Sequence, residues 1–192
     1  MRSSTFDECF LSFVEEPTRD NYLFAREQII QHPDYDPYSN GLRNLELAFD
    51  AGDYSRVRKN ALELLPIWSL SPRFHYLVGI SALESGDTAS AEREKQLSRA
   101  CLLGLTTTGE GTEKQPFIVT YLSDEYDLLR WMEVEAHQQQ VIDVADRRLD
   151  LLRDQLGTEY WFDVTDVINA VMTGHHARNE SAQTTRPTVR QA

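Results

Sequence analysis

Ala48-Phe49-Asp50-Ala51-Gly52-Asp53-Tyr54 recurs 34 residues later as Ala82-Leu83-Glu84-Ser85-Gly86-Asp87-Thr88, and this repeat decides how the chain folds. Each Gly-Asp sits between two apolar helical stretches. Glycine closes a helix by taking the left-handed conformation. The aspartate, or the hydroxyl-bearing Tyr54-Ser55 and Thr88 region, supplies an N-cap oxygen for the next helix. Upstream of Asp53, Leu42, Leu45 and Phe49 are spaced three and four apart. Downstream, Val57, Ala61, Leu64, Leu65 and Trp68 form an amphipathic stripe. In the second unit Phe74, Leu77, Val78 and Leu83 serve one helix, and Ala91, Leu97, Cys101 and Leu102 the other. Pro72 stands near a helix start, where a missing N–H costs nothing. Residues 38–104 are therefore predicted to form two helical hairpins.

A 34-residue period of this kind resembles the tetratricopeptide family. Gly79 stands where that family has a small residue, Gly86 at its interhelical turn, and Ala91 at its second-helix alanine. The first repeat departs from the pattern: Leu45 replaces the small residue and Val57 the alanine. His75 and Gly41 occupy the family's aromatic position. The resemblance implies a helical surface that binds another protein or peptide. Its groove is lined mainly by the first helix of each hairpin, which assigns protein binding to Leu42, Glu46, Phe49, Arg73, Tyr76, Ile80 and Leu83. Covering of these residues by the rest of the chain is the competing expectation.

Outward from the repeat, the chain divides into a helical part (1–104), a small α+β unit (105–173) and a disordered tail (174–192). Phe6, Phe10, Phe13 and Val14 make one apolar stripe, Pro17–Asp20 breaks it, and Tyr22, Ala25, Ile29 and Ile30 make another. This pair is expected to pack as a divergent capping repeat, because a stable stack usually needs about three hairpins. His32–Pro37 is rich in turn residues. Thr106–Pro116 is polar and glycine-containing, and reads as a loop. Phe117–Leu122 reads as a strand, and Ser123-Asp124-Glu125 as a helix start with a capping hydroxyl and two acids at the positive dipole end. Three short strands follow, Gln139–Val144, Arg148–Arg153 and Glu159–Val164, with Tyr160, Phe162 and Val164 on one face. Trp161 then points the other way, against the helices or into solvent. Trp68 and Trp131 are expected in packing, and a short helix over Asp166–Met172 closes the unit. The fold class is α+β: a helical-hairpin stack plus a small unit with antiparallel strands. The tail, Gly174–Ala192, is almost free of apolar residues.

Gly109-Glu110-Gly111-Thr112, Pro116-Phe117-Ile118-Val119, Asp124-Glu125-Tyr126-Asp127, Gln139-Gln140 and Trp161-Phe162-Asp163-Val164 together resemble a bacterial domain of unknown function that follows tetratricopeptide-like helices. That resemblance implies fold and domain pairing, and no activity.

The composition narrows the functional classes. With 41% hydrophobic and 26% charged residues, the 192-residue chain has the balance of an ordinary globular protein. Its net charge of −12, with lysine only at 59, 95 and 114, opposes binding to nucleic acid or an anionic membrane surface. Apolar runs such as Leu64-Leu65-Pro66-Ile67-Trp68 fall far short of the roughly 20 residues that span a bilayer. The N-terminus lacks the pattern of a signal peptide, which predicts a cytoplasmic location, and the resemblance to a bacterial domain implies a bacterial one. Cys9 and Cys101 read as buried thiols. Gly109–Thr112 follows a helix and precedes a strand, the reverse of a phosphate-binding loop. His175-His176 falls in the tail. No catalytic residue, cofactor or metal ligand is expected. The leading reading is a non-enzymatic adaptor or scaffold. One alternative is a dedicated secretion chaperone or immunity-type protein. The other is a carboxylate-dependent hydrolase, which requires Asp124, Glu125, Asp127, Asp143, Asp150 and Asp163 to converge, with Arg147, Arg148 or His137 nearby.

Overall fold

The computed structural model of the protein describes residues 3–170, with backbone alone for residues 3–7. The side chain of Phe6, the tail from Gly174 and His175-His176 lie outside the described residues. The helices are α1 (Ser3–Glu15), α2 (Arg19–Ile30), α3 (Gly41–Asp50), α4 (Tyr54–Trp68), α5 (Pro72–Glu84), α6 (Thr88–Thr107) and α7 (Ser123–Trp131). The strands are β1 (Phe117–Ile118), β2 (Gln138–Val144), β3 (Arg147–Arg153) and β4 (Glu159–Asp163), and a further helix is described over 165–170. The architecture is α+β.

The two Gly-Asp turns close identically. Gly52 and Gly86 take φ of +71° and +78°. The Asp53 N–H donates to the Ala48 carbonyl and the Asp87 N–H to the Ala82 carbonyl, both at 2.9 Å. Each aspartate then caps the next helix: Asp53 accepts from the Arg56 N–H and Asp87 from the Ser90 N–H, both at 3.1 Å. The cap is thus the carboxylate in both turns. The α3–α4 and α5–α6 hairpins that result stack, with α5 packed on α3 and α4. Gly79 faces Ala91 and Glu94 of α6, where an added Cβ would lie 3.1 Å from the Glu94 Cβ.

The α1–α2 hairpin docks mainly on α6, with lesser packing on α4. Gly104 accounts for this: a Cβ there would lie 2.4 Å from the Tyr22 ring and 2.7 Å from the Phe13 ring. The bare backbone makes a seat on α6 for two fully buried aromatics. Both cysteines are free thiols in the interior.

The sheet runs β1-β4-β3-β2; β1 is parallel to β4 and the other pairs are antiparallel. Only Phe117 and Ile118 of the predicted six-residue strand form β1. Side chains take the backbone groups beyond it. The Asp124 carboxylate accepts the N–H groups of Thr120 and Tyr121, both at 2.9 Å. Arg26 donates to the Val119 carbonyl (3.0 Å) and the Tyr35 hydroxyl to the Thr120 carbonyl (2.5 Å). The capping role expected of Ser123 is not observed: Leu122 holds the N-cap position of α7, and the Ser123 hydroxyl is buried without a partner among the described residues.

One apolar core takes residues from all seven α-helices, from β1, β3 and β4, and from the 165–170 helix. Phe162, Val164 and Tyr160 face it, as alternation predicts. Trp161 neither packs on the helices nor lies exposed. It is buried on the opposite face of the sheet with Leu149 and Leu151, and its backbone N–H donates to the Gly111 carbonyl (3.0 Å). The Gly109–Pro116 loop thus runs beside β4, and Gly109 permits a close approach: a Cβ there would sit 2.1 Å from the Pro116 carbonyl oxygen.

Candidate functional site

Two places gather the candidate residues. The first is a groove on the outer surface of α5 and α6. Tyr76, Ile80 and Leu83 line it from α5, Ala91, Lys95 and Arg99 from α6, and Trp131 closes one end from α7, around about 680 Å³. Tyr76 is 55% exposed, Leu83 49% and Trp131 44%, so three large apolar side chains meet solvent in one concavity. Trp131 is therefore not a packing residue of the expected kind. A smaller cleft of about 300 Å³ continues from Tyr76, Leu102 and Trp131 to Asp127 and Arg130.

The other residues assigned to binding are engaged inside the fold. Leu42 is buried. The Phe49 ring packs between Tyr54 (5.8 Å between centroids) and Tyr76 (6.3 Å). Arg73 donates to Glu46 at 3.0 Å and to Asp127 at 2.7 Å, which ties α5 to α3 on one side and to α7 on the other. Of the seven residues, Tyr76, Ile80 and Leu83 line the groove and the other four do not.

The second place is the group of carboxyls at the start of α7, where three acids within four helix positions have three different fates. Asp124 turns back to the preceding loop, and burial pushes its pKa up to about 8 against the two N–H groups it accepts. Asp127 is held by Arg73, and burial raises its pKa. Glu125 points at the sheet, where β3 places Asp150 against it. Burial, together with the adjoining Asp150 carboxyl, pushes Glu125 up to about 9. Gln139 of β2 donates from Nε2 to Asp150 (2.8 Å) and more weakly to Glu125 (3.4 Å), and its own oxygen accepts from the Tyr126 hydroxyl at 2.5 Å. Glu125 Oε1 and Asp150 Oδ1 find no donor among the described residues. A proton kept on Glu125 supplies one.

The six carboxyls do not converge. Asp143 is exposed and paired with Arg148 at 2.8 Å, and Asp163 accepts the Thr165 N–H at 3.0 Å. Arg147 reaches the Glu113 carbonyl, and His137 lies 4.0 Å from Glu135. Among the described residues no group of three His, Cys, Asp or Glu side chains is placed to hold a metal ion. No helix among them is long and apolar enough to cross a membrane.

The cationic rim of the groove, Lys95 and Arg99, was not singled out from sequence. The repeat carried the signal: 34 residues earlier the same positions are Ala61 and Leu65. Comparison with protein-family models, with curated proteins and with solved structures gives no match.

Proposed function

We propose that the chain is a protein-binding module whose α5–α6 groove receives a segment of another protein. The observation that carries this is the exposure of Tyr76, Leu83 and Trp131 together in one concave surface. Isolated exposed apolar residues are ordinary, but a contiguous patch framed by polar groups marks an interaction site. The buried carboxyls of α7 belong in this reading to the scaffold: Asp124 shapes the loop before α7, and Asp127 anchors Arg73 beneath the groove.

The test is capture from a native lysate with wild type and with Tyr76→Ala/Leu83→Ala. Both side chains are about half exposed, so the variant should keep its helical circular dichroism, with a stability change of about 1 kcal/mol or less. The expected result is a stoichiometric partner held by wild type and lost from the variant. A folded variant that retains every partner of wild type removes the groove from consideration.

A further inference from the structure

We infer that the segment received by the groove is an acidic amphipathic α-helix, docked on the second hairpin as α5 is docked on the first. The inference rests on the groove being a binding site and adds what fills it.

The internal repeat supplies the argument. Shifted by 34 residues, the groove positions Tyr76, Gly79, Leu83 and Ala91 become Leu42, Leu45, Phe49 and Val57. On the first hairpin Leu42, Leu45 and Val57 are buried and Phe49 half-buried, and the element that lies over this surface is α5. Three contacts fix it there: Arg73 to Glu46 (3.0 Å), the Tyr76 ring against Phe49, and Asp87 at the end of the hairpin turn to Arg58 (2.6 Å). Among the described residues, the same surface of the second hairpin lacks such a cover over most of its length. Helix α7 packs at the Arg73 end, and Trp131 reaches Leu102, the counterpart of Trp68. The chain then turns away into β2, and the groove stays open from Tyr76 to Leu83. A surface of this shape is already filled by a helix once in this molecule, so a helix is the element that fits it.

Charge specifies which helix. Ala61 and Leu65 on the covered hairpin correspond to Lys95 and Arg99 on the open one. Arg130 of α7 lies along the adjoining cleft, and all three cations are exposed. Among the described residues the one acidic side chain lining the groove is Glu92, 3.6 Å from Lys95. A cationic rim around an apolar floor, on a chain of net charge −12, selects a partner with carboxylates beside its apolar stripe.

The test uses two synthetic helical peptides with one apolar stripe, spaced as Phe74, Leu77, Val78 and Ser81 are on α5. One carries glutamate at its flanking positions and the other lysine. Titration into the full chain, followed by tryptophan fluorescence and by calorimetry, should show the glutamate peptide bound about tenfold more tightly, since three exposed cations each contribute modestly. The preference should shrink in high salt. Lys95→Glu/Arg99→Glu should reverse it while leaving the circular dichroism unchanged. Equal binding of the two peptides, binding of neither, or a preference untouched by the charge reversal overturns the inference. The two claims fail separately. A lysate partner lost with Tyr76→Ala/Leu83→Ala but kept by Lys95→Glu/Arg99→Glu leaves the groove as a binding site and removes the acidic helix.

Discussion

The stacked hairpins and the sheet-bearing segment solve the same problem, backbone groups removed from water, in opposite ways. In the hairpins the solution is local. Each turn is closed by residues within six positions of one another, and the interior between helices is mainly apolar, with the buried His75 held by Glu94 and the Ser69 carbonyl, both at 2.7 Å. In the segment after Phe117 much of the solution comes from far along the chain. Arg26 and Tyr35 reach the carbonyls of Val119 and Thr120, Tyr22 reaches the Thr120 hydroxyl, and the buried Asp124 takes two amides. The difference teaches where each region is vulnerable. The hairpins depend on shape, and the sheet-bearing segment on charge state and on the helices it leans against.

The contrast is broken most forcefully at the point where the regions meet. Trp68, at the end of α4, stacks on Tyr121 with ring centroids 4.5 Å apart and an interplanar angle of 20°, and the Tyr121 hydroxyl donates to the Ile67 carbonyl at 2.6 Å. Both rings are buried in the core that spans the molecule. Trp68→Ala should therefore lower the stability of the whole chain by about 4 kcal/mol, the usual cost of deleting a buried large aromatic side chain. Denaturant unfolding followed by helical circular dichroism and by the remaining tryptophans should shift together in one transition. Two separated transitions in the variant would mean that the regions stand alone and that the shared core contributes little.

The next effect separates the regions by pH. Asp124 and Glu125 keep their protons in the folded state to about pH 8 and 9 because burial disfavours their charged forms. The unfolded chain releases those protons near pH 4. Folded pKa values above the unfolded ones give stability that is fully present below about pH 4 and is lost as pH rises toward the folded values. The carboxylates held low, Asp87, Asp143, Asp154 and Glu159, act in the other direction, and only at acid pH. Glu125→Gln preserves shape and can donate to Asp150 without titrating. Its stability advantage over wild type should widen by about 1 kcal/mol per pH unit between pH 5 and 8. Urea unfolding at four pH values measures this, and parallel curves for variant and wild type would refute the shared proton.

What was legible in the sequence follows the same division. The Gly-Asp turns, the four helices around them and the approximate positions of the last three strands along the chain could be read because each rests on neighbours in the chain. The docking of α1–α2 could not, since it depends on Gly104 meeting Phe13 and Tyr22 across about 80 to 90 positions. Acids at a helix start read as dipole partners, yet Asp124 serves the loop before it, Glu125 the sheet and Asp127 an arginine on α5. Their common position in sequence hides three destinations that only strand register and helix packing define. Tyr76, Ile80 and Leu83 were found because they follow the repeat. Lys95 and Arg99 were missed because they break it, standing where the first hairpin has Ala61 and Leu65.

The smallest effect tests the repeat itself. Gly52 and Gly86 share a left-handed backbone and the same pair of turn hydrogen bonds, and nothing lies within 4 Å of a Cβ added at either. Alanine at each position thus meets no clash, and the cost is that of holding an L-residue at positive φ, about 1 kcal/mol. The two turns differ in one respect: Asp87 also holds Arg58 at 2.6 Å, a link between the two hairpins. If the turns are equivalent, Gly52→Ala and Gly86→Ala should lower stability by the same amount within about 0.3 kcal/mol, and the double variant should show the sum. A larger loss at Gly86 would mean that its turn also positions Asp87 against Arg58. The second turn would then fasten one hairpin to the other, and the resemblance between the repeats would stop at backbone geometry.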